Sequence, residues 1–234
     1  MSTALKTLAV MEVLARSPRG MRLQEVATSL GLSRPTAYQR LLTLVEAGLI
    51  EQDEQSRYRL SMHLCRFAAA ALEQADLGTR VVPILQELVH EVKETASLAV
   101  LDRGLPCIVS RVESESVLRA EQKIGTTMSL EGSASGRILT AFADEATLRR
   151  LKESGEELAT DEIIAAARLD GYALSSGYTQ AGVRAIAAPV LDLHGKCVAT
   201  LSLVMPATRF NLEAVKAPLL RAADEINKLQ QGLR

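Results

Sequence analysis

The stretch from Ser33 to Gly48 constrains the fold of this chain more than any other part of the sequence. Read at helical spacing, its apolar and small residues share one face: Ala37, Leu41, Leu44, Val45 and Gly48. Hydrogen-bonding side chains share a second face: Thr36, Gln39, Arg40 and Thr43. Ser33 is a good N-cap residue, and Pro35 lies just inside the helix, where its missing N–H costs nothing. The pattern predicts a helix that packs by a narrow apolar seam and presents a polar outer face.

The preceding segment, LQEVATSLGLS, predicts a short helix that ends at a tight turn containing Gly31. Ala27 is small enough to let the two helices approach each other closely. A helix, a glycine-bearing turn and a second helix with a polar outer face together indicate a helix-turn-helix, whose second helix enters the major groove of DNA.

The residues after this helix pair predict a small β-hairpin. Leu49 to Gln52 and Arg57 to Leu60 alternate like strands around a polar turn at Asp53 to Ser56. The returning strand carries two arginines, which suits a wing that touches the DNA backbone. A polar helix face alone is usually just solvated, but the glycine turn, the proline-started helix and the basic wing together favour DNA binding. The expected DNA contacts are Ser33, Arg34, Thr36, Tyr38, Gln39, Arg40, Thr43, Arg57 and Arg59.

Charge is distributed unevenly along the 234 residues. The net charge of the chain is −1, but residues 1–66 carry nine Lys/Arg against six Asp/Glu, so this part has a net charge of +3 and the remainder −4. A basic module joined to an acidic one fits a regulator better than a general nucleic-acid coat. Three scattered cysteines argue against a disulfide framework, and no run approaches the ~20 apolar residues of a membrane span. We therefore expect a cytoplasmic protein with no membrane contact.

The sequence divides into three segments. A first helix over Ala4 to Ser17, with Leu5, Leu8, Met11 and Leu14 on its apolar face, completes a winged helix-turn-helix domain at 1–61. Residues 62–77, rich in alanine and without proline or glycine, predict a linker helix that could pack on its own domain or on a second subunit. Residues 78–234 predict an effector-binding domain.

The last segment predicts an α+β domain with an antiparallel sheet flanked by helices. After a helix over Val81 to Lys93, strands are expected at 97–101, 107–112 and 117–122, and helices at 136–142, 145–153 and 161–169. Three more strands, at 172–175, 184–191 and 196–205, precede a final helix that begins at Asn211.

Several runs in this order resemble the IclR family of transcriptional regulators. These are GLSRPTAYQRLLTLVEAGLIE in the helix-turn-helix, GSASGRILTAF at 132–142, GYALSSG at 171–177 and GVRAIAAPVLDLHG at 182–195. The resemblance covers nearly the whole chain. It departs from the family after Gly177, the last glycine of the GYALSSG run, where Glu is common and Tyr178 stands here, so the effector class is not carried over from the family.

The resemblance implies a GAF-like C-terminal domain and a homodimer or dimer of dimers that binds a palindromic operator on double-stranded DNA. It also implies control by a small-molecule effector, often an organic acid, and we expect the chain to act as a repressor. The implied pocket residues, with two apolar walls and the divergent tyrosine, are Met128, Leu130, Ala134, Ser135, Ser175, Tyr178, Ala185, Ser202 and Val204.

The residues themselves agree in part with such a pocket. Glycines and small residues between Gly125 and Gly136 free backbone N–H groups at a helix start, where an anion is favoured. Arg137 or Arg184 could supply a countercharge. The alternative is that GSASG is only a tight loop with N-capping serines.

Other chemistry finds little support in the sequence. GSASG has Ala134 where a nucleophile elbow needs serine, the three histidines lack metal-ligand spacing, and no nucleotide-binding glycine motif occurs. We expect no catalytic residues, no metal and no cofactor. The alternative function is a small-molecule-binding module or enzyme whose N-terminal region merely dimerises it.

Overall fold

The computed structural model describes residues 3–117, 122–176 and 182–231. The chain forms two compact units, Met1–Leu72 and Glu73–Arg234. In the first unit the elements are α1 (Thr3–Ala15), β1 (Met21–Arg22), α2 (Leu23–Ser29), α3 (Arg34–Glu46), β2 (Ile50–Gln52) and β3 (Arg57–Leu60). Helix α4 (Leu64–Gln74) crosses the boundary between the units and is shorter at both ends than the expected linker helix. Within the described residues, no helix is long and apolar enough to cross a membrane.

The first unit has the predicted three helices and hairpin around one core. That core contains Val10, Leu14, Val26, Leu41, Leu44, Ile50 and Tyr58. Strand β3 pairs with β2 and also with β1, through Met21 opposite Tyr58 and Arg22 opposite Arg57. Strand β1 was not expected, because two residues are too short to show a period in the sequence.

The predictions of which residues form the apolar faces of α1 and α3 were partly wrong. Leu5 and Leu8 are 53% and 51% exposed, and the buried residues of α1 are Val10 and Leu14. A repeat of three residues falls about 60° short of a full turn at each step, so such a stripe winds around the helix. In α3, Ala37, Leu41 and Leu44 are buried as expected, whereas Val45 in the last turn and Gly48 beyond it are exposed.

The second unit is an antiparallel sheet with helices on both faces. After α4 its elements are α5 (Val82–Val92), β4 (Thr95–Asp102), β5 (Leu105–Val112), α6 (Ala134–Ala141), α7 (Glu145–Glu153), α8 (Asp161–Asp170), β6 (Ala173–Ser176), β7 (Val183–Leu191), β8 (Cys197–Pro206), a 3-10 turn (Ala207–Arg209) and α9 (Leu212–Gln230). The sheet order is β5-β4-β8-β7-β6. The α+β prediction is confirmed. The strand expected at 117–122 falls mostly on residues 118–121, which lie outside the described residues.

The two faces of this sheet carry different side chains. Ala187 of β7 packs with Ala134 and Ile138 of α6 in one apolar cluster. Because side chains alternate along a strand, Ile186 and Ala188 point to the opposite face, and both are fully buried. Helix α9 contacts β7 and β8, and α5 contacts β4. The face toward α6 is the one on which the expected pocket residues of β7 and β8 lie.

The outer edge of β5 is covered by the chain that follows it. Ile108 N–H donates to Thr126 O at 3.0 Å, Gly125 N–H donates to Ile108 O at 2.7 Å, and Met128 N–H donates to Pro106 O at 2.8 Å. The segment 125–128 therefore occupies hydrogen-bonding groups that an edge strand otherwise leaves open.

Candidate nucleic-acid interface and effector site

The start of α3 is built as the sequence predicts. Ser33 Oγ accepts a hydrogen bond from Thr36 N–H at 3.3 Å and lies 2.7 Å from Thr36 Oγ1. These contacts satisfy one of the unpaired donors at the helix start and fix its direction. Both hydroxyls already have partners within the domain, so their first role is to position the helix.

An exposed polar surface runs along α3. Arg34, Tyr38, Gln39 and Thr43 are all exposed, and Tyr38 is 45% exposed despite its large ring. The Thr43 hydroxyl donates to Gln39 O at 2.9 Å and so uses its one hydrogen internally. Arg34 and Gln39 keep long polar side chains on the surface, where they can reach base edges or phosphates.

Arg40 points toward α1 instead of outward. Its Nη1 donates to Thr3 O at 2.9 Å and to Thr7 Oγ1 at 3.0 Å, and its side chain is half-buried. This arrangement gives Arg40 a structural contact within the domain, because it ties the start of α1 to α3. The placement of Arg40 on the free outer face of the helix was wrong.

The hairpin holds its two arginines differently. Arg57 is half-buried, and its Nη1 donates to Gly20 O at 3.3 Å. Arg59 is exposed, and its Nε lies 2.7 Å from Glu51 Oε1 in an ion pair whose side chains are 60% and 46% exposed. Solvent weakens such a pair, so Arg59 can exchange Glu51 for a phosphate at little cost. Asp53 Oδ1 shapes the hairpin turn by accepting from the N–H groups of Gln55 at 3.0 Å and Arg57 at 2.8 Å.

In the second unit, the GSASG loop forms a buried helix start. Ser133 Oγ accepts from Gly136 N–H at 2.9 Å and donates to Ser129 O at 2.6 Å. Gly132 N–H donates to Ser129 Oγ at 3.0 Å. Two N–H groups that the sequence suggested as an anion site are therefore paired within the loop, which supports the alternative of an N-capped turn for this part of the run.

Gly136 allows the loop to lie directly on the preceding chain. A Cβ at this position would meet Ser129 O, and it would come within 2.6 Å of both Leu130 Cα and Leu130 O. Only glycine fits here without moving backbone. Leu130, Ala134 and Ser135 are consequently buried, with exposures of 1%, 1% and 2%.

The strand register places the other expected pocket residues in two neighbouring rows. Ser175 pairs with Ala185 and Ala185 with Val204, which in turn pairs with Thr95. The adjacent row contains Ala173, Ala187, Ser202, Ser97 and Arg111. Ser175, Ala185 and Ser202 are half-buried. Met128 packs against Ala99 and Ile108, one row further along the same face. Tyr178 lies outside the described residues.

The two arginines suggested as a countercharge, Arg137 and Arg184, each contact other residues of their own domain. Arg137 donates through Nε to Glu131 O at 2.8 Å and through Nη1 to Leu174 O. The Arg184 guanidinium lies over the Phe210 ring, 4.0 Å from its centroid. Both side chains are engaged by their own domain, and a countercharge role for either one stays a prediction.

Two residues that the sequence did not single out, Ser97 and Arg111, lie on the α6-facing side of the sheet. Ser97 and Arg111 are direct partners on β4 and β5, and their side chains share the α6-facing side. Ser97 is 2% exposed, and the Arg111 side chain is 4% exposed. An arginine inside a mostly apolar strand is the signal that could have marked this position, because arginine is rarely buried without a specific partner.

Comparison with known proteins follows the same division into two units. The model of the IclR helix-turn-helix domain matches residues 3–54, and the model of the bacterial transcriptional regulator IclR C-terminal domain matches residues 69–228. The HTH-type transcriptional regulator BhcR of Paracoccus denitrificans is 30% identical to this chain, over 95% of this chain and 85% of that protein. The transcriptional repressor IclR of Escherichia coli is 26% identical over 97% and 89%.

A solved structure shows the same fold over the whole length. The crystal structure of an IclR homolog from Microbacterium hydrocarbonoxydans, complexed with 4-hydroxybenzoate, matches with a TM-score of 0.82 and 23% identity. The match covers 98% of this chain and 99% of that one. Together with the two domain matches, these similarities confirm the resemblance seen in the sequence: the chain belongs to the IclR family of DNA-binding transcriptional regulators.

Proposed function

We propose that the protein represses transcription from the cytoplasm by binding a palindromic operator as a homodimer or dimer of dimers. An organic or aromatic acid bound in the second unit alters its affinity for that operator. The exposed polar surface of α3, beside an exposed wing arginine, carries the DNA part of this proposal. Five of the nine expected residues contact DNA directly: Arg34, Tyr38, Gln39, Thr43 and Arg59. The other four position them: Ser33, Thr36, Arg40 and Arg57.

The assembly of the protein into a dimer or larger oligomer is supported by the small number of base pairs that one recognition helix contacts. A single recognition helix reads only a few base pairs, and two related by symmetry read half-sites about one helical turn apart. Helix α4 has no buried residue in the single chain, and its Phe67 is 51% exposed. Leu5 and Leu8 of α1 also expose apolar surface. A second copy that covers such surface would gain stability by the hydrophobic effect.

The α6-facing side of the sheet supports an effector site. Half-buried Ser175 and Ser202 offer hydroxyls beside the small Ala185 and the apolar Val204. Met128 adds an apolar wall. Hydroxyl donors beside apolar side chains suit a small molecule with one polar end. The Microbacterium homolog binds 4-hydroxybenzoate, which belongs to the class of effector proposed here.

Fluorescence anisotropy with the full-length protein tests the regulatory proposal. The probe is a duplex from the region upstream of the gene, and the control is a shuffled duplex of equal composition. We expect preferential binding to the native duplex that weakens steeply with salt, because bound phosphates release counterions. Light scattering should give at least a dimer. Equal affinity for both duplexes, or a monomer with and without DNA, would contradict the proposal.

A further inference from the structure

Strand β1 brings a further arginine to the sheet of the wing, whose strand order is β1-β3-β2. Arg22 lies directly opposite Arg57 in the pairing of β1 with β3. Because side chains alternate along a strand, both point away from the side on which Tyr58 is buried. Arg59, two residues along β3 from Arg57, shares that outer side. The outer side of this sheet therefore carries three arginines.

The acidic residues of the wing lie toward its other edge. Glu51 of β2 is the register partner of Arg59, and its Oε1 lies 2.7 Å from Arg59 Nε. Asp53 and Glu54 are in the hairpin turn, where Asp53 N–H donates to Arg57 O at 2.9 Å. Carboxylates repel DNA phosphates, so β2 and the turn are poorly suited to lie on the duplex. The β1 edge is the side of the wing whose charge suits a phosphate.

Arg22 also stands at the start of the helix-turn-helix. Helix α2 begins at the next residue, and the Arg22 backbone N–H donates to Glu25 Oε2 at 2.6 Å, which fixes the chain where β1 ends. In this motif the second helix enters the groove, while the first helix crosses the DNA backbone. The Arg22 side chain is exposed. It thus lies between two elements that meet DNA, α2 and the wing.

The pairing of Arg22 with Arg57 is unfavourable for folding alone. Residues directly opposite in a sheet have Cβ atoms about 5 Å apart, and like charges there destabilise the pair. Arg57 has a partner within the domain, since its Nη1 donates to Gly20 O at 3.3 Å. Among the described residues, no carboxylate forms an ion pair with Arg22. A residue that opposes folding in this way is typical of a functional site.

We infer that Arg22 contacts a phosphate of the DNA backbone, and that the wing approaches the duplex by its β1 edge with the acidic turn held away. A phosphate contact strengthens binding to any sequence and leaves discrimination between bases to α3. This inference rests on the proposed function, because it assumes that the exposed surface of α3 lies on duplex DNA. It adds a contact outside the recognition helix and the hairpin.

Fluorescence anisotropy on the full-length protein, with the native and the shuffled duplex over a range of salt concentrations, tests the contact. Arg22→Gln should weaken binding to both duplexes by about threefold to tenfold and reduce the salt slope by about one, because one counterion fewer is released. Arg22→Lys should keep most of the slope, since lysine also neutralises a phosphate. Arg149→Gln, on the exposed surface of α7, is the matched control and should bind like the wild type.

Thermal unfolding separates this role from a structural one. Arg22→Gln should leave the melting temperature unchanged or raise it, because it removes the like charge opposite Arg57. Glu54→Gln tests how the wing approaches. It should strengthen DNA binding by about twofold or less, because exposed charges farther apart than the Debye length of about 10 Å are largely screened.

Four results would overturn the inference. Unchanged affinity and salt slope in Arg22→Gln, with normal wild-type binding, would remove Arg22 from the interface and leave the proposed function standing. A loss confined to the native duplex would mean base reading instead of a phosphate contact. A gain of tenfold or so in Glu54→Gln would place the acidic turn on the DNA. A wild-type protein that binds neither duplex would contradict the proposed function together with this contact.

Discussion

The guanidinium of Arg209 holds the carboxylate of Glu94 through two hydrogen bonds, 2.6 Å from Nε to Oε1 and 2.8 Å from Nη2 to Oε2. Glu94 is 6% exposed and directly precedes β4, whereas Arg209 ends the 3-10 turn after β8. The hydrogen bond from Glu94 raises the pKa of Arg209. The pair therefore links the chain just after the end of β8 to the chain just before the start of β4.

Arg209→Ala should destabilise the second unit by about 1–3 kcal/mol, because it leaves the Glu94 carboxylate buried without its strongest donor. Urea denaturation followed by circular dichroism measures the loss. Arg221→Ala is the matched control, since Arg221 forms an ion pair with Glu91 at 2.6 Å but both side chains are about half exposed, at 59% and 46%. Its effect should be clearly smaller. Equal losses in the two variants would contradict the role given to the buried pair.

Gln39→Ala should weaken binding to the native duplex by about 1–3 kcal/mol if the amide reads a base edge, with no change in folding stability. Arg40→Ala should instead lower the melting temperature, because it removes the contacts to Thr3 and Thr7. Gln86→Ala, an exposed amide in the second unit, is the control for both measurements. A Gln39→Ala variant with wild-type affinity would remove this side chain from the interface.

Gly136→Ala should cost about 1–3 kcal/mol or more, because the new methyl group meets the backbone of Ser129 and Leu130. Gly155→Ala is the comparison, since nothing lies within 4 Å there and only its positive φ of 79° opposes a side chain. That strain is worth about 1 kcal/mol. Thermal unfolding of both variants distinguishes the two causes. We also expect Gly136→Ala to weaken effector binding, since it displaces Leu130; an unchanged melting temperature would contradict the close approach.

Cys197 should resist alkylation at pH 7. Burial raises the pKa of its thiol to about 12, so only about one molecule in 10⁵ carries the reactive thiolate at neutral pH. Burial also raises the pKa of Cys107, whereas Cys65 is exposed on α4. Iodoacetamide followed by mass spectrometry should find Cys65 modified and Cys197 intact until the chain is denatured. Rapid labelling of Cys197 in the native protein would argue against its packing in β8.

Local signals explain which parts of the fold the sequence could predict. Ser33 and Pro35 mark the start of α3 within a few residues, and the serines and glycines of GSASG mark a tight loop at the start of α6. Arg40 could not be placed in the same way. Its partners are Thr3 and Thr7, more than thirty residues away, so its direction depends on how α1 packs on α3.

The same limit applies to the α6-facing side of the sheet, where the effector site is proposed. Ser97 and Arg111 become neighbours only through the register of β4 and β5, and that register shifts at an irregularity between Leu98 and Ala99. A shift of one residue reverses the face of every side chain beyond it, and a single sequence does not mark where it occurs. The GSASG run is contiguous in the sequence and was therefore found. The buried Arg111 is brought beside Ser97 only by strand pairing and was therefore missed.

The segment 125–128, which covers the outer edge of β5, also limits strand pairing between this protein and other chains. Because Gly125, Thr126 and Met128 already occupy that strand's outer groups, another chain can pair there only after peeling the segment away. An open edge of this kind is a template for aggregation and strand exchange. At Pro106 and Ile108, the β5 edge of the sheet is thereby closed to pairing with another chain.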